Sequence, residues 1–509
     1  MLFRNFKTLY KRNSDRSRKP MISMYAPSSP YKVYTHDEWW ADDWDAKEYG
    51  RSFDFNRPFF EQFKELLFAV PRFNFMNNQS ENCEYSNFTF QSKNCYMVFG
   101  CVNDENCWYG HIVWSSKDSL DNLYLHKSEL CYECVDCVGS YRLLHSQECE
   151  SCTDSIGLFD CRSCTNCIGC VGLRQKSYCI FNEQKTKAEY DAFVAAHPLT
   201  NPVNVKMILE KRDELRQRVP QRHFFGSRND NVSGNHIYNA RDVHDSFDVQ
   251  GGEHSRFIYT SRNAKDSYDV AFSPDIERCY YSLTTLGANR VFFSHLGQHC
   301  SDMYYSDSCM TSSNIFGCAG LKGGEYCILN KQYSKESYLA LKEKIIEHMK
   351  KTGEWGEFFP ADLSPFAYNE SIAQEYFPLS KDEALASEFR WSDEMPRTSG
   401  QETIANDALP KNPAEFSDDL LKHVLKCDAC GHNFRLIQQE IGFYKRLNLP
   451  LPRLCFNCRH EKRMASRNVR KLWDGACAKC NAKFRTSYSP EQQKTYRVYC
   501  EACYNSEVV

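Results

Sequence analysis

The chain has 509 residues, 42% hydrophobic and 25% charged, a globular composition long enough for several domains. No apolar run approaches the ~18 to 20 residues that cross a bilayer, and the opening MLFRNFKTLYKRNSDRSRKP lacks the roughly 7 to 15 apolar residues of a secretory signal. A membrane-spanning helix and export by that route are therefore not expected. The 27 cysteines are an odd number, so full pairing within one chain is impossible. A reducing, cytoplasmic compartment is expected, where thiols serve as metal ligands or small buried hydrophobes.

At the N-terminus, Arg4 to Glu38 aligns with Arg467 to Cys503, with two extra residues in the latter. Cys477, Cys480, Cys500 and Cys503 then fall on Ser14, Ser17, Thr35 and Glu38. Residues 1–50 therefore read as a degenerate zinc-ribbon-like module without cysteine ligands. Met1 stands where Met464 stands, so the ribbon that precedes the C-terminal copy is expected to be missing here. A connecting helix is predicted over 51–75.

The body is a tandem duplication. SKDSLDNLY from Ser116 matches AKDSYDVAF from Ala264 at an offset of 148, and the same offset aligns GCVGLRQKSYCIFNEQKTKAEY with GCAGLKGGEYCILNKQYSKESY. All five cysteines of the later half (Cys279, Cys300, Cys309, Cys318, Cys327) have partners in the earlier one. The two β-repeat halves span 76–184 and 223–333. Short alternating runs punctuated by Asn, Asp, Ser and Gly at roughly 9 to 12 residues predict short strands turning repeatedly. The fold class is read as mainly β, a duplicated Cys-rich β-solenoid-like body with a helix after each half, with an antiparallel meander as the alternative. The first helical segment, 185–222, is basic and interrupted at Pro198 and Pro202; the second, 334–352, ends at a glycine. An aromatic belt (353–397) is expected to wrap the body, followed by a polar linker (398–420), zinc ribbon 1 with a basic helix (421–471) and zinc ribbon 2 (472–509).

The pair Cys427 and Cys430 is separated by 24 intervening residues from the pair Cys455 and Cys458, and the pair Cys477 and Cys480 by 19 from the pair Cys500 and Cys503. Two residues between cysteines let a tight turn aim both sulfurs at one ion, and two such knuckles complete a tetrahedron of thiolates. Two zinc ions are expected, structural rather than catalytic because the protein fills every coordination position. The earlier cysteine series (Cys131, Cys134, Cys137; Cys149, Cys152; Cys161, Cys164, Cys167, Cys170) is read as packed thiols, since the duplicate replaces several of them with Ser282, Thr285, Gly297, Ser312 and Ile315. A metal site there is the alternative.

The recurrence of D-S-x-D at Asp118/Asp121, Asp245/Asp248 and Asp266/Asp269 favours turn aspartates over paired catalytic carboxylates, which occur once per site. His295 and His299 with Cys300, and His244 with Glu253 and His254, are the other metal-like groups. No phosphate loop, GxSxG or HExxH is present.

Residues 422–509 hold 17 Lys and Arg against 7 Asp and Glu, which leaves −13 for the rest of a chain of net charge −3. Arg459, Arg463, Arg467 and Lys471, spaced by four, would line one helical face with Arg470 beside them. Such a face suits a phosphate backbone or is simply solvated.

Nearly the whole chain resembles a group of uncharacterised bacterial zinc-ribbon proteins. The resemblance rests on YKVYTHDEWWADDWD, FDFNRPFFEQFKEL, LCYECVDC, YCILNKQYSKE and WGEFFPADLSPFAYNESIAQEYFPL, and its tail, from CDACG to LPLPRLCFNCR, looks like a probable zinc-ribbon domain. It implies architecture and zinc ligation, and no activity. In similar proteins the positions of Ser14, Ser17, Thr35 and Glu38 are cysteines. The expected function is a non-enzymatic interaction scaffold with a macromolecular partner, a protein first. The alternatives are a nucleic-acid- or ribosome-binding tail, and an enzyme with a site in the solenoid groove near His295 and His299.

Overall fold

In the computed structural model, which describes residues 1–508 and so stops one residue short of the 472–509 segment's end, the chain is mainly strand. No helix among the described residues is long and apolar enough to cross a membrane. The backbone of the body obeys one local rule. From Gln79 to Met97 every third residue (Gln79, Asn82, Tyr85, Phe88, Gln91, Asn94, Met97) is left-handed, with φ between 49° and 54°. Each such residue turns the chain, and the next one points inward.

Four of these triplets return the chain to the same place after 12 residues. Asn87 pairs in parallel with Phe99, Phe99 with His111, His111 with Leu123 and Leu123 with Val135. In the later half Arg256, Tyr268, Tyr280, Phe292, Tyr304, Phe316 and Ile328 form the corresponding parallel ladder. The pairing is thus parallel rather than that of an antiparallel meander.

The inward positions accept only small or slender side chains, which explains the cysteine content. Cys131, Cys134, Cys137, Cys149, Cys152, Cys161, Cys164, Cys167 and Cys170 are all buried inside the first half. Their thiols donate to carbonyls, as Cys134 Sγ does to Leu143 O at 3.1 Å and Cys149 Sγ to Gln147 O at 3.2 Å. The replacements in the duplicate, Ser282, Thr285, Gly297, Ser312 and Ile315, are buried too, as packing rather than ligation requires.

The D-S-x-D motifs follow the same rule. All six aspartates are left-handed, with φ from 45° to 59°, a conformation that short polar side chains tolerate best. The serine between them points inward. Ser119, Ser246 and Ser267 each donate to the carbonyl two residues back at 2.7 Å. Each then accepts from a backbone N–H one turn later, at Cys131, Ile258 and Cys279.

The helices fall where the sequence breaks them. Lys187–Ala196 starts with a Thr186/Glu189 capping box, Pro202–Arg218 is capped by Asn201, and Lys335–Thr352 ends at Gly353 in the left-handed region (φ 76°). The connecting helix Phe59–Ala69 lies on the second half, with Phe59 edge-on to Phe316 and closed against Gly317, where a Cβ would meet its ring at 2.8 Å. Helix Pro202–Arg218 lies on the first half, with Ile208 against Gly157. The two helices are therefore exchanged: each precedes one half in sequence and covers the other.

The two chain ends repeat each other in structure as in sequence. Hairpin Tyr10–Asn13/Pro20–Ser23 matches hairpin Trp473–Ala476/Lys483–Thr486 at the offset of the alignment. Val33–Tyr34 adds in parallel to Arg72–Phe73, and Val498–Tyr499 adds in parallel to Gln221–Arg222.

The belt binds the N-terminal module to the body. Tyr31 donates to Leu363 O, and Tyr376 shares a hydroxyl contact of 2.8 Å with Tyr124. Residues 398–420 differ from the expected linker: Leu409, Phe416 and Leu420 are buried, and Thr403 N–H donates to Val424 O. Leu409, Phe416 and Leu420 share one core with Leu425 and Leu436, and Pro413 is buried as well.

Ser151 is exposed and left-handed (φ 54°), so Ser151→Val is expected to lower stability by about 1–3 kcal/mol while Ser151→Gly does not. Urea midpoints at unchanged m-value measure both; equal midpoints for the valine and glycine variants would contradict the triplet rule.

Candidate metal centres and the arginine clasp

Each thiolate set is built from a hairpin knuckle and a helix start. Cys427 and Cys430 follow strand Leu425–Lys426, with Gly431 left-handed at φ 72° to complete the knuckle. Cys455 is the N-cap of helix Phe456–Ala465 and Cys458 lies in its first turn. Cys477 and Cys480 occupy the turn between Trp473–Ala476 and Lys483–Thr486, with Asn481 left-handed at φ 62°, and Cys500 and Cys503 flank the start of helix Glu501–Val508. In both sets the four sulfurs lie within 4.8 Å of one another.

The donor sets fit zinc. A tetrahedron with ~2.3 Å metal–sulfur bonds has sulfur–sulfur edges of about 3.8 Å, and the Cys430–Cys455 and Cys480–Cys500 separations are both 3.7 Å. Backbone N–H groups already stabilise the thiolate form, since Cys455 N–H donates to Cys427 Sγ at 3.2 Å and Lys479 N–H to Cys477 Sγ at 3.4 Å. Burial alone would raise the Cys427 and Cys477 thiols; these backbone bonds outweigh it and bring them down to about 7 and about 6. The two sites are compatible with two zinc ions, which would hold knuckles and helices together without taking part in chemistry. Among the described residues no set of three interior thiols converges in this way.

The N-terminal module does not fit a metal. Glu38 Oε2 accepts from the Ser14 hydroxyl and from Thr35 N–H at 2.9 Å, while Glu38 N–H donates back to Thr35 Oγ1 at 3.2 Å. Burial acts to raise this carboxyl, but the hydroxyls of Ser14 and Ser17 and the Thr35 backbone bring it down to about 2. Hydrogen bonds among the four positions thus replace metal–sulfur bonds, and Arg18 (φ 62°) keeps the left-handed turn that Asn481 supplies in the other copy.

The basic segment is not a surface, nor one helix: helix Phe456–Ala465 carries Arg459 and Arg463, while Arg467, Arg470 and Lys471 follow its end. The side chains of Arg459, Arg463, Arg467 and Arg470 are at most 6% exposed, and each is ion-paired inside the molecule. Arg459 reaches Asp121 and Glu440; Arg463 joins Asp121 at 3.2 Å and Glu133 at 3.0 Å; Arg467 joins Asp136 at 2.8 Å and Asp248; Arg470 joins Asp248 at 2.7 Å. Asp121 and Glu133 are one ladder turn apart, as are Asp136 and Glu148. A helix rises about 6 Å in four residues and neighbouring strands lie about 4.8 Å apart, so Arg459 and Arg463, four apart on the helix, follow Asp121 and Glu133, twelve apart on the body, while Arg467 and Arg470 reach their acids from the non-helical chain beyond Ala465. Burial would raise the Asp248 carboxyl, and Arg467 and Arg470 outweigh it and hold it well below the usual carboxylate range. Of the five predicted nucleic-acid contacts only Lys471, beside Trp473, is exposed. The expected single helical face holds only for Arg459 and Arg463, because the helix stops at Ala465; the acids of the body cover all four arginines.

Among the described residues, neither His295, His299 and Cys300 nor His244, Glu253 and His254 form a converging set of ligand atoms. His295 is buried against Asp307 at 3.0 Å, itself paired with Arg72 at 3.2 Å. His254 lies on the surface between Asp242 and Asp266. A cluster that sequence spacing did not reveal is His111, Glu375 and His460, whose ligand atoms lie within 4.8 Å of one another. Residues from three distant segments leave no motif.

No protein-family model matches the chain, and no curated protein matches it significantly. Among solved structures, a UDP-N-acetylglucosamine O-acyltransferase from Moraxella catarrhalis is matched at 11% identity over 47% of this chain and 90% of that one, with a TM-score of 0.10, too low to carry an argument.

Two outcomes are expected from this geometry. Asp121→Asn leaves two buried guanidinium groups underpaired and lowers stability by about 3–5 kcal/mol, whereas Lys471→Ala stays within about 0.5 kcal/mol; denaturant titration reads both. The folded Glu38 carboxyl lies below its ordinary value of 4.5, so its stabilisation is complete above pH 4.5 and is lost as pH falls toward about 2. The difference in Tm between the wild type and Glu38→Gln therefore holds steady at neutral pH and shrinks through that window.

Proposed function

We propose that this chain is a zinc-stabilised interaction scaffold, in which two parallel β-solenoid halves form a rigid body and two zinc ribbons lock it. The 12-residue register and the left-handed residue at every third position support the solenoid reading. The observation that carries the functional reading is the direction of four arginines on and just after helix Phe456–Ala465: the residues that would recruit a phosphate backbone are spent on Asp121, Glu133, Asp136 and Asp248. The ribbons act inward, as locks, and the body supplies the surface.

That surface carries exposed side chains of the kind that protein partners bury. Tyr85, Val138, Tyr141 and Tyr268 are each about two-fifths exposed, at 39%, 40%, 43% and 40%. A protein is accordingly the partner proposed, in the cytoplasm, where free interior thiols persist.

Two measurements test the reading. Cobalt titration of the apo chain is expected to show two thiolate-bound equivalents with sulfur-to-metal charge-transfer absorption; fewer than two would contradict the metal assignment. Binding to duplex DNA or RNA is expected to be weak, and tight binding with a steep salt dependence would favour the nucleic-acid reading instead.

A further inference from the structure

Three segments far apart in sequence converge at one buried point outside the thiolate sites. His111 stands on the outer face of a body strand, Glu375 on the belt helix Ala373–Tyr376, and His460 on the ribbon helix Phe456–Ala465. Glu375 Oε2 lies 3.3 Å from His460 Nε2 and 3.8 Å from His111 Nδ1, while Oε1 turns to the Lys7 ammonium at 2.9 Å. The two imidazoles lie parallel, with ring centroids 4.7 Å apart and planes within 11°.

Both histidines are fully buried, at 0% exposure. Neither ring nitrogen of His111 has a hydrogen-bond partner in the protein, and neither does His460 Nδ1. An unpaired buried polar atom is unfavourable by roughly 1–3 kcal/mol, and three of four imidazole nitrogens in one place are left so. Glu375 and His460 line a cleft of about 710 Å³, with His111 behind them.

We propose that His111, Glu375 and His460 bind a divalent transition ion, zinc or iron(II), as a third metal centre of two imidazoles and one carboxylate. With metal–ligand bonds of ~2.0–2.2 Å, tetrahedral ligand atoms sit about 3.4 Å apart, so the Glu375–His460 spacing of 3.3 Å fits, the Glu375–His111 spacing of 3.8 Å closes by a few tenths of an ångström, and the two imidazole nitrogens, within 4.8 Å of each other, draw together on binding. The donor set is borderline rather than soft, which suits zinc or iron(II) and disfavours copper(I). The two carboxylate oxygens divide the work: Oε2 faces both imidazoles, and Lys7 holds Oε1 and with it the orientation of the ligand. Three protein ligands leave a position open toward the cleft, where water reaches the ion. The thiolate sites leave none, so this centre goes beyond the scaffold reading.

The test counts metals per full-length chain by mass spectrometry after preparation with zinc, and anaerobically with iron(II). Three ions are expected in the wild type, falling to two in His111→Phe, which keeps an aromatic ring against His460, and in Glu375→Gln, which removes only charge. Circular dichroism and an unchanged cobalt–thiolate absorption identify variants that remain folded. Two ions in the wild type under both preparations, or a third ion that persists in both variants, would overturn the proposal and leave the cluster as a lysine–glutamate pair beside two packed histidines. Loss of the cobalt–thiolate absorption in the wild type would instead defeat the two-zinc reading, through a separate signal.

Discussion

Everything in this molecule depends on a backbone that turns left-handed at every third residue. That conformation fixes a 12-residue turn, and the turn fixes which residues point inward. The interior it encloses is narrow, so cysteine, serine, valine and leucine fill it, and thiols and hydroxyls donate to the carbonyls that line it. It also sets the outward columns, because residues 12 apart stack in register. The helices and ribbons then dock on columns that repeat at about the spacing of their own turns.

The clasp is where the parts are joined. Arg459 and Arg463 hold Asp121 and Glu133 of the first half, and Arg467 and Arg470 bring in Asp248 from the second. Buried ion pairs contribute modestly relative to an apolar substitute, yet removing one partner is strongly destabilising. Their value lies in geometry: four guanidinium groups fit only if the helix, both halves and the belt stand in one arrangement. The helix carrying the first two begins at Cys455, a member of the first thiolate set, so a zinc ion held there and the clasp would share one element. The N-terminal module shows the alternative, with Ser14, Thr35 and Glu38 closing the same shape by hydrogen bonds.

Much of this was legible in the residues. The four CxxC pairs announce their ligands because chemistry requires that spacing, and the aligned chain ends carry hairpins that correspond strand for strand in the structure. The period was also visible, since Cys161, Cys164, Cys167 and Cys170 step by three, although punctuation suggested only a range of 9 to 12. The clasp was half legible. Periodicity places Arg459 and Arg463 on one helical face but extends that face past Ala465, where the helix stops, and what covers the arginines depends on Asp121 and Glu133 being stacked by a register known only after folding. The His111, Glu375 and His460 cluster left no local signal at all, because its members come from a strand, the belt and a ribbon helix.

The central claim is that zinc positions the ribbon helix so that its arginines can lock the body. A double-mutant cycle between Asp121 and Arg459, using Asp121→Asn and Arg459→Met, measures it most directly when run on zinc-loaded and zinc-free protein. The account predicts a coupling energy of about 1–3 kcal/mol with zinc that collapses to within about 0.5 kcal/mol without it. Equal coupling in the two states would show that the clasp forms independently of the metal, and would contradict the account.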